Sequence, residues 1–144
     1  LAAWQRVVEL RPDDPAQRLE LAEAWRRMGY WGEMVAELDA SLRLNPDDYV
    51  TCAYLAWTLA TAPTEGARDG AKAVRLAERA LKAGESADRL DTLGAALAEA
   101  GRYQEAVAAV ERALALLPQD AAELRSEYKT RLALYRSGRP FHHR

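Results

Sequence analysis

Residues 87–120 read ADRLDTLGAALAEAGRYQEAVAAVERALALLPQD, and their spacing decides the fold. Leu90, Leu93, Gly94 and Leu97 recur at helical intervals, which predicts one amphipathic helix. Gly101 follows, a residue that adopts the left-handed conformation closing a helix at no steric cost. Tyr103, Ala106, Val110, Ala113 and Leu114 then form a second apolar stripe, and Pro118 ends it. The stretch therefore predicts two antiparallel helices joined by a tight turn, a unit too thin to bury its own apolar face.

Working outward, the same plan recurs upstream. Pro12 and Pro46 lie 34 residues apart, each after an amphipathic segment: Val7, Val8 and Leu10 before the first, Leu38, Leu42 and Leu44 before the second. Asp14-Pro15 reads as an N-cap followed by proline at the first helical position, where its missing N–H costs nothing. Leu21, Ala22, Trp25 and Met28 continue that helix to Gly29, and a partner helix runs from about Trp31 to Leu44. In the middle, Cys52, Leu55, Ala56 and Leu59 fit a first helix and Ala73, Ala77, Ala80 and Leu81 a second. Pro63 and Gly66 place a loop with about five extra residues between them.

These residues resemble the tetratricopeptide repeat, a 34-residue helix-turn-helix unit. The match is closest over 87–120 and looser over 15–48, where Met34 replaces a small alanine. It is loosest over 49–86, which carries the turn insertion and no closing proline. Residues 1–12, with Trp4, Val7 and Val8, are similar to a second helix whose first is missing. The implied fold is all-α: one domain over 1–144, an α-solenoid of about three such units. A capping helix over 120–137 and a tail over 138–144 complete it. Asp120 and Glu123 suggest a capping box, and Leu124, Tyr128, Leu132 and Tyr135 a single apolar stripe. Leu59 to Pro63, Arg68 to Val74, Asp91 to Ala96 and Leu134 to Pro140 are similar to modules at the C-terminal ends of larger bacterial proteins. That resemblance makes Arg144 near a natural terminus and Leu1 a cut.

Composition agrees with helices. Thirty alanines and 20 leucines stand against seven valines and no isoleucine, which argues against a β-sheet domain. Twenty Lys/Arg against 22 Asp/Glu give a net charge of −2, no footprint for nucleic acid. The charge is uneven, however: residues 124–144 hold six Lys/Arg and one Glu. No apolar run approaches the ~18 residues of a membrane span, so the expectation is a soluble, cytoplasmic chain with no membrane partner.

No catalytic constellation emerges. The two histidines, His142 and His143, fall in a charged, proline-preceded segment expected at the surface, and two adjacent ligands do not fill a metal site. Cys52, the one cysteine, sits where the first helix faces its neighbour and is expected to be buried and inert. Gly66 to Lys72 is similar to a phosphate-binding loop but has three residues between its glycines and no Gly-Lys-Ser/Thr; Asp69 as an N-cap explains it. The expectation is a non-enzyme without cofactor or metal. Trp4, Trp25 and Trp31 are expected in the core.

The resemblance also implies a site. In this family the first helix of each unit lines a concave surface that holds peptides. By position those residues are Glu20, Glu23, Arg26 and Arg27, then Tyr54, Trp57 and Thr61, then Asp88, Asp91, Thr92 and Glu99. They imply an aromatic pair set among five negative and two positive charges. The set that clamps an acidic C-terminus is replaced by Leu19, Glu23, Tyr54, Asp88 and Thr92. A protein or peptide partner with basic or aromatic residues fits better. Two readings of Tyr54 and Trp57 stand together here, a binding hot spot or a pair covered by the C-terminal helix. The implied function is an interaction scaffold. The alternatives are a regulatory or positioning C-terminal appendage of a larger enzyme, and weak self-association through the N-terminal end.

Overall fold

The computed structural model describes residues 14–144, so the helix expected at 1–12, with Trp4, lies outside the described residues. These fold into seven α-helices: α1 (Pro15–Arg27), α2 (Trp31–Leu44), α3 (Tyr49–Thr61), α4 (Gly70–Ala80), α5 (Ala87–Glu99), α6 (Tyr103–Leu116) and α7 (Ala122–Arg136). There is no strand among the described residues. Helices α1 and α2, α3 and α4, and α5 and α6 form three antiparallel pairs, α3 stacks on α5, and α7 packs on α6. The chain is an all-α solenoid.

Four helices begin at a side-chain cap that accepts one of the N–H groups the helix cannot satisfy itself. Asp14 accepts from the Ala16 amide, Asp48 from Thr51, Asp69 from Lys72 and Ser86 from Arg89, at 3.1 to 3.2 Å. The capping box expected of Asp120 and Glu123 does not form. Helix α7 starts one residue later behind Ala121, which has no cap side chain.

Three helices end in the same way. After α1, Gly29 takes φ 78° and the Tyr30 amide donates to the Trp25 carbonyl at 2.9 Å. After α5, Gly101 takes φ 81° and Arg102 donates to Leu97 at 2.8 Å. After α7, Gly138 takes φ 73° and Arg139 donates to Leu134 at 3.0 Å. Each is a Schellman turn, which satisfies carbonyls the helix end leaves open. Helix α7 thus finishes like the first helix of a pair, although an extended segment follows it.

The core is built of small residues and leucines: Leu21, Met34, Leu38, Leu55, Leu90, Leu97 and Val110, with buried alanines where helices approach. Two close approaches are fixed by glycine. A Cβ at Gly94 would lie 2.7 Å from Val110 Cγ2, so α5 and α6 meet there because the side chain is absent. A Cβ at Gly70 would lie 2.7 Å from the Ala100 nitrogen and 2.8 Å from the Glu99 carbonyl carbon, backbone atoms of the next pair. The inserted turn between α3 and α4 is pinned rather than loose. Arg68 donates to the Ala62 carbonyl at 2.7 Å and to Glu99 at 3.1 Å. Cys52 is fully buried, and burial pushes its thiol pKa up, against nucleophilic chemistry.

Candidate interaction groove

Helices α1, α3, α5 and α7 turn side chains toward one concave groove of about 1150 Å³. Glu23 and Arg26 come from α1, Tyr54 and Trp57 from α3, Asp88, Asp91 and Thr92 from α5, and Tyr128 and Arg131 from α7. Of the residues expected on this surface, Glu23, Tyr54, Trp57, Asp88, Asp91 and Thr92 are brought together. Glu20 and Arg27 are exposed outside the groove, and Arg27 reaches only Glu23 at 3.6 Å. Thr61 is fully buried, its hydroxyl donating to the Trp57 carbonyl at 2.7 Å. Those three are corrected: two lie beyond the groove's edge, and a threonine one turn past Trp57 turns into the packed layer.

The groove's polar groups are paired with one another. Arg26 donates two hydrogen bonds to Glu23, and the Tyr54 hydroxyl donates to Glu23 at 2.6 Å. These donors hold the Glu23 carboxyl down to about 2, Arg26 first and Tyr54 second, while burial and then Glu23 push the Tyr54 phenol up to about 12. Arg131 meets Asp91 with one edge of its guanidinium, Nε to Oδ1 at 3.0 Å and Nη2 to Oδ2 at 2.8 Å. Both side chains are buried. Burial raises the Asp91 carboxyl above its ordinary range, with Arg131 pulling the other way.

The charge excess is smaller than expected. Lining acids Glu23, Asp88, Asp91 and Glu127 face Arg26, Arg89 and Arg131 of the helices, an excess of one acid that Arg144 of the tail offsets. Glu99 sits behind it, holding Arg68 and His142.

The segment after α7 lies in this groove. His143 is exposed, as expected, and His142 half-buried, yet both make specific contacts. The His143 amide donates to the Thr61 carbonyl at 2.7 Å, which α3 leaves open at its end. The Trp57 indole donates to His143 Nε2 at 3.0 Å, which requires that nitrogen to be unprotonated. His143 also stacks on Trp31, ring centroids 6.4 Å apart, so Trp31, half-buried against the core, is also part of the groove wall. His142 Nε2 lies 2.6 Å from Glu99 Oε2. Phe141 packs 6.0 Å from Trp57, and the Arg131 guanidinium carbon sits 5.4 Å from the Trp57 centroid, 5.2 Å from Tyr128 and 5.4 Å from Phe141. Trp57 is half-covered, by Arg131 of the C-terminal helix α7 and by the tail that follows it.

The other end of the groove is open. Val50, 73 % exposed, and Leu124, 45 % exposed, line it beside Asp88 and Glu127. Leu124 thus leaves the buried stripe that Tyr128, Leu132 and Tyr135 keep. The sequence reading missed Arg131, Tyr128, Trp31, Phe141 and His143 as groove residues. Among the described residues, no group of three or more His, Cys, Asp or Glu is placed to hold a metal ion.

Residues 87–120 match the family model described as tetratricopeptide repeat. Residues 87–120 thus carry a tetratricopeptide repeat, and the three helix pairs stack as a solenoid of the same kind of helical hairpin. The crystal structure of MamA protein is similar, with a TM-score of 0.69 over 95 % of this chain and 77 % of that one. At 16 % identity this likeness shows the fold. No curated protein sequence matches the chain. Such repeats typically serve as non-catalytic modules for protein–protein interaction. Among the described residues no helix is long and apolar enough to cross a membrane.

Proposed function

We propose that the chain is a non-enzymatic scaffold that holds an extended segment of a protein partner along its concave groove. The observation that carries this reading is the groove's own contents. A stretch of irregular chain already lies across α3 with its backbone hydrogen-bonded to the end of that helix and its aromatic side chain against Trp57. A surface that accommodates one such segment has the shape and the helix-end acceptor to accommodate another in its place. The proposed contact residues are Glu23, Tyr54, Trp57, Asp88, Asp91 and Thr92, joined by Val50, Leu124 and Arg131. No cofactor is needed, and no turnover is expected. The mutual pairing of Glu23 with Arg26 and of Asp91 with Arg131 supports an aromatic or apolar partner over a strongly charged one.

Selection of random dodecapeptides on the full chain tests it, with Val50→Glu and Trp57→Ala as comparison chains. Binders are expected to weaken at least tenfold on either variant. Trp57→Ala should melt close to the parent, since a half-buried groove tryptophan costs well under the ~3–5 kcal/mol of a core one. Binders indifferent to both substitutions would place recognition elsewhere.

A further inference from the structure

We infer that residues 139–144 are a resident competitor for the groove, and that the place of Phe141 is the subsite for an aromatic side chain of the partner; this rests on the groove reading above. Several observations converge on one segment. After the Gly138 turn, Pro140 withholds an amide donor and disfavours helix at Arg139, so the chain runs out irregular. It forms no secondary structure of its own. It is held by the His143 amide on the Thr61 carbonyl, the Trp57 indole on His143, His142 on Glu99, and Phe141 among Trp57 and Arg131. A segment held by so few contacts is at the low end of local stability and is displaceable without unfolding the helices behind it.

Arg131 determines the chemistry of the subsite. The Nε/Nη2 edge of its guanidinium is committed to the Asp91 carboxylate, and its flat face lies against the rings of Trp57, Tyr128 and Phe141. A cationic face beside an indole attracts another aromatic ring. The partner segment that fits therefore carries an aromatic residue, followed two positions later by a backbone N–H free to donate to Thr61. Because the tail is tethered within a few residues of α7, its effective concentration is on the order of millimolar, and an outside segment binds only to the fraction of molecules whose tail is out.

The Trp57 indole N–H resonance of the full chain reads this directly, since its acceptor is on the tail. The probe is the hexapeptide of residues 139–144, added at up to millimolar concentration to the parent, to Phe141→Ala and to His143→Pro, which removes both the backbone donor to Thr61 and the imidazole acceptor of Trp57. The expected result is a shifted Trp57 signal in both variants that the hexapeptide returns to the parent position, while the same peptide carrying Phe141→Ala does not. Dodecapeptides that depend on Trp57 should bind Phe141→Ala about tenfold or more tightly than the parent. A Trp57 signal unmoved by either substitution overturns the inference, as does a shifted signal the hexapeptide fails to restore, or unchanged dodecapeptide affinity. Failure of the scaffold reading looks different: no selected peptide depends on Trp57 or Val50, whatever the tail does.

Discussion

The pair α5–α6 and the region of α7 with its tail begin alike and part company within three residues. In both, a helix ends on a Schellman turn followed by arginine: Gly101-Arg102-Tyr103 in one, Gly138-Arg139-Pro140 in the other. After Arg102 the sequence supplies Ala106, Val110 and Ala113, a stripe that packs into α5, and helix α6 results. After Arg139 comes a proline and no stripe. The facing helices differ in the same sense. Seven residues before each turn glycine stands Gly94 in α5 and Arg131 in α7. The first admits a second helix to backbone distance; the second fills that distance with a guanidinium bonded to Asp91. The comparison teaches that one turn serves two continuations, and that the residue seven before it matches the continuation that follows.

The largest effect should come from breaking the arginine side of this comparison. Arg131→Ala leaves the Asp91 carboxylate buried without its partner, so a loss of about 3–5 kcal/mol is expected in denaturant unfolding. The double change Asp91→Leu with Arg131→Met should recover most of it. Next comes the glycine side. Gly94→Ala puts a methyl into Val110, and overpacking of this kind costs about 1–3 kcal/mol. If Val110→Ala added to it costs no more than Val110→Ala alone, the clash is the cause.

A subtler effect concerns pH. Partial burial, then the charges of Arg131 and Arg26, lower the His143 pKa, and its Nε2 accepts from Trp57 only when unprotonated. The docked tail binds fewer protons at that site than the free tail. Docking is thus full above the ordinary histidine value of about 6.5 and weakens as pH falls below it. The titration belongs in His142→Ala, which leaves His143 the one imidazole of the sequence, and is followed at the Trp57 indole signal. Docking that strengthens on acidification would reverse the proton assignment. The smallest effect is expected at Tyr135, buried between α7 and α5 with its hydroxyl unpartnered among the described residues. Tyr135→Phe should be neutral or stabilising by up to about 1 kcal/mol on thermal melting, since it removes a desolvated polar group and no bond.

The helix pairs were legible because their punctuation is local. Asp14-Pro15, Gly29, Asp69 and Gly101 each act on their own neighbours, and the chain places them where a cap or turn is required. Tyr54 and Trp57 on α3, and Asp88, Asp91 and Thr92 on α5, could be assigned to one face by position for the same reason, whereas Val50 and Thr61 could not. Arg131 was not, because its meaning depends on Asp91, forty residues away, and on two rings from different elements. The acids were counted without the arginine that neutralises one of them, which made the groove read as negative. His142 and His143 read as surface residues, and His143 is one, but proline and charge gave no hint of their partners. Their binding sites, the Glu99 carboxylate and the open Thr61 carbonyl, exist only once α3 and α5 are stacked.

Gly70 carries a mechanical consequence. Where repeats meet through side chains, neighbouring units can rock as rotamers yield. Here the first residue of α4 rests on the main chain at Glu99 and Ala100, which has no rotamer to change. The angle between the second and third pairs is thereby stiff, and with it the curvature of the concave wall on which Trp57 and Asp91 stand. Any side chain at position 70 would act as a wedge, altering the superhelical pitch at a distance from the groove and misaligning its two halves without touching either.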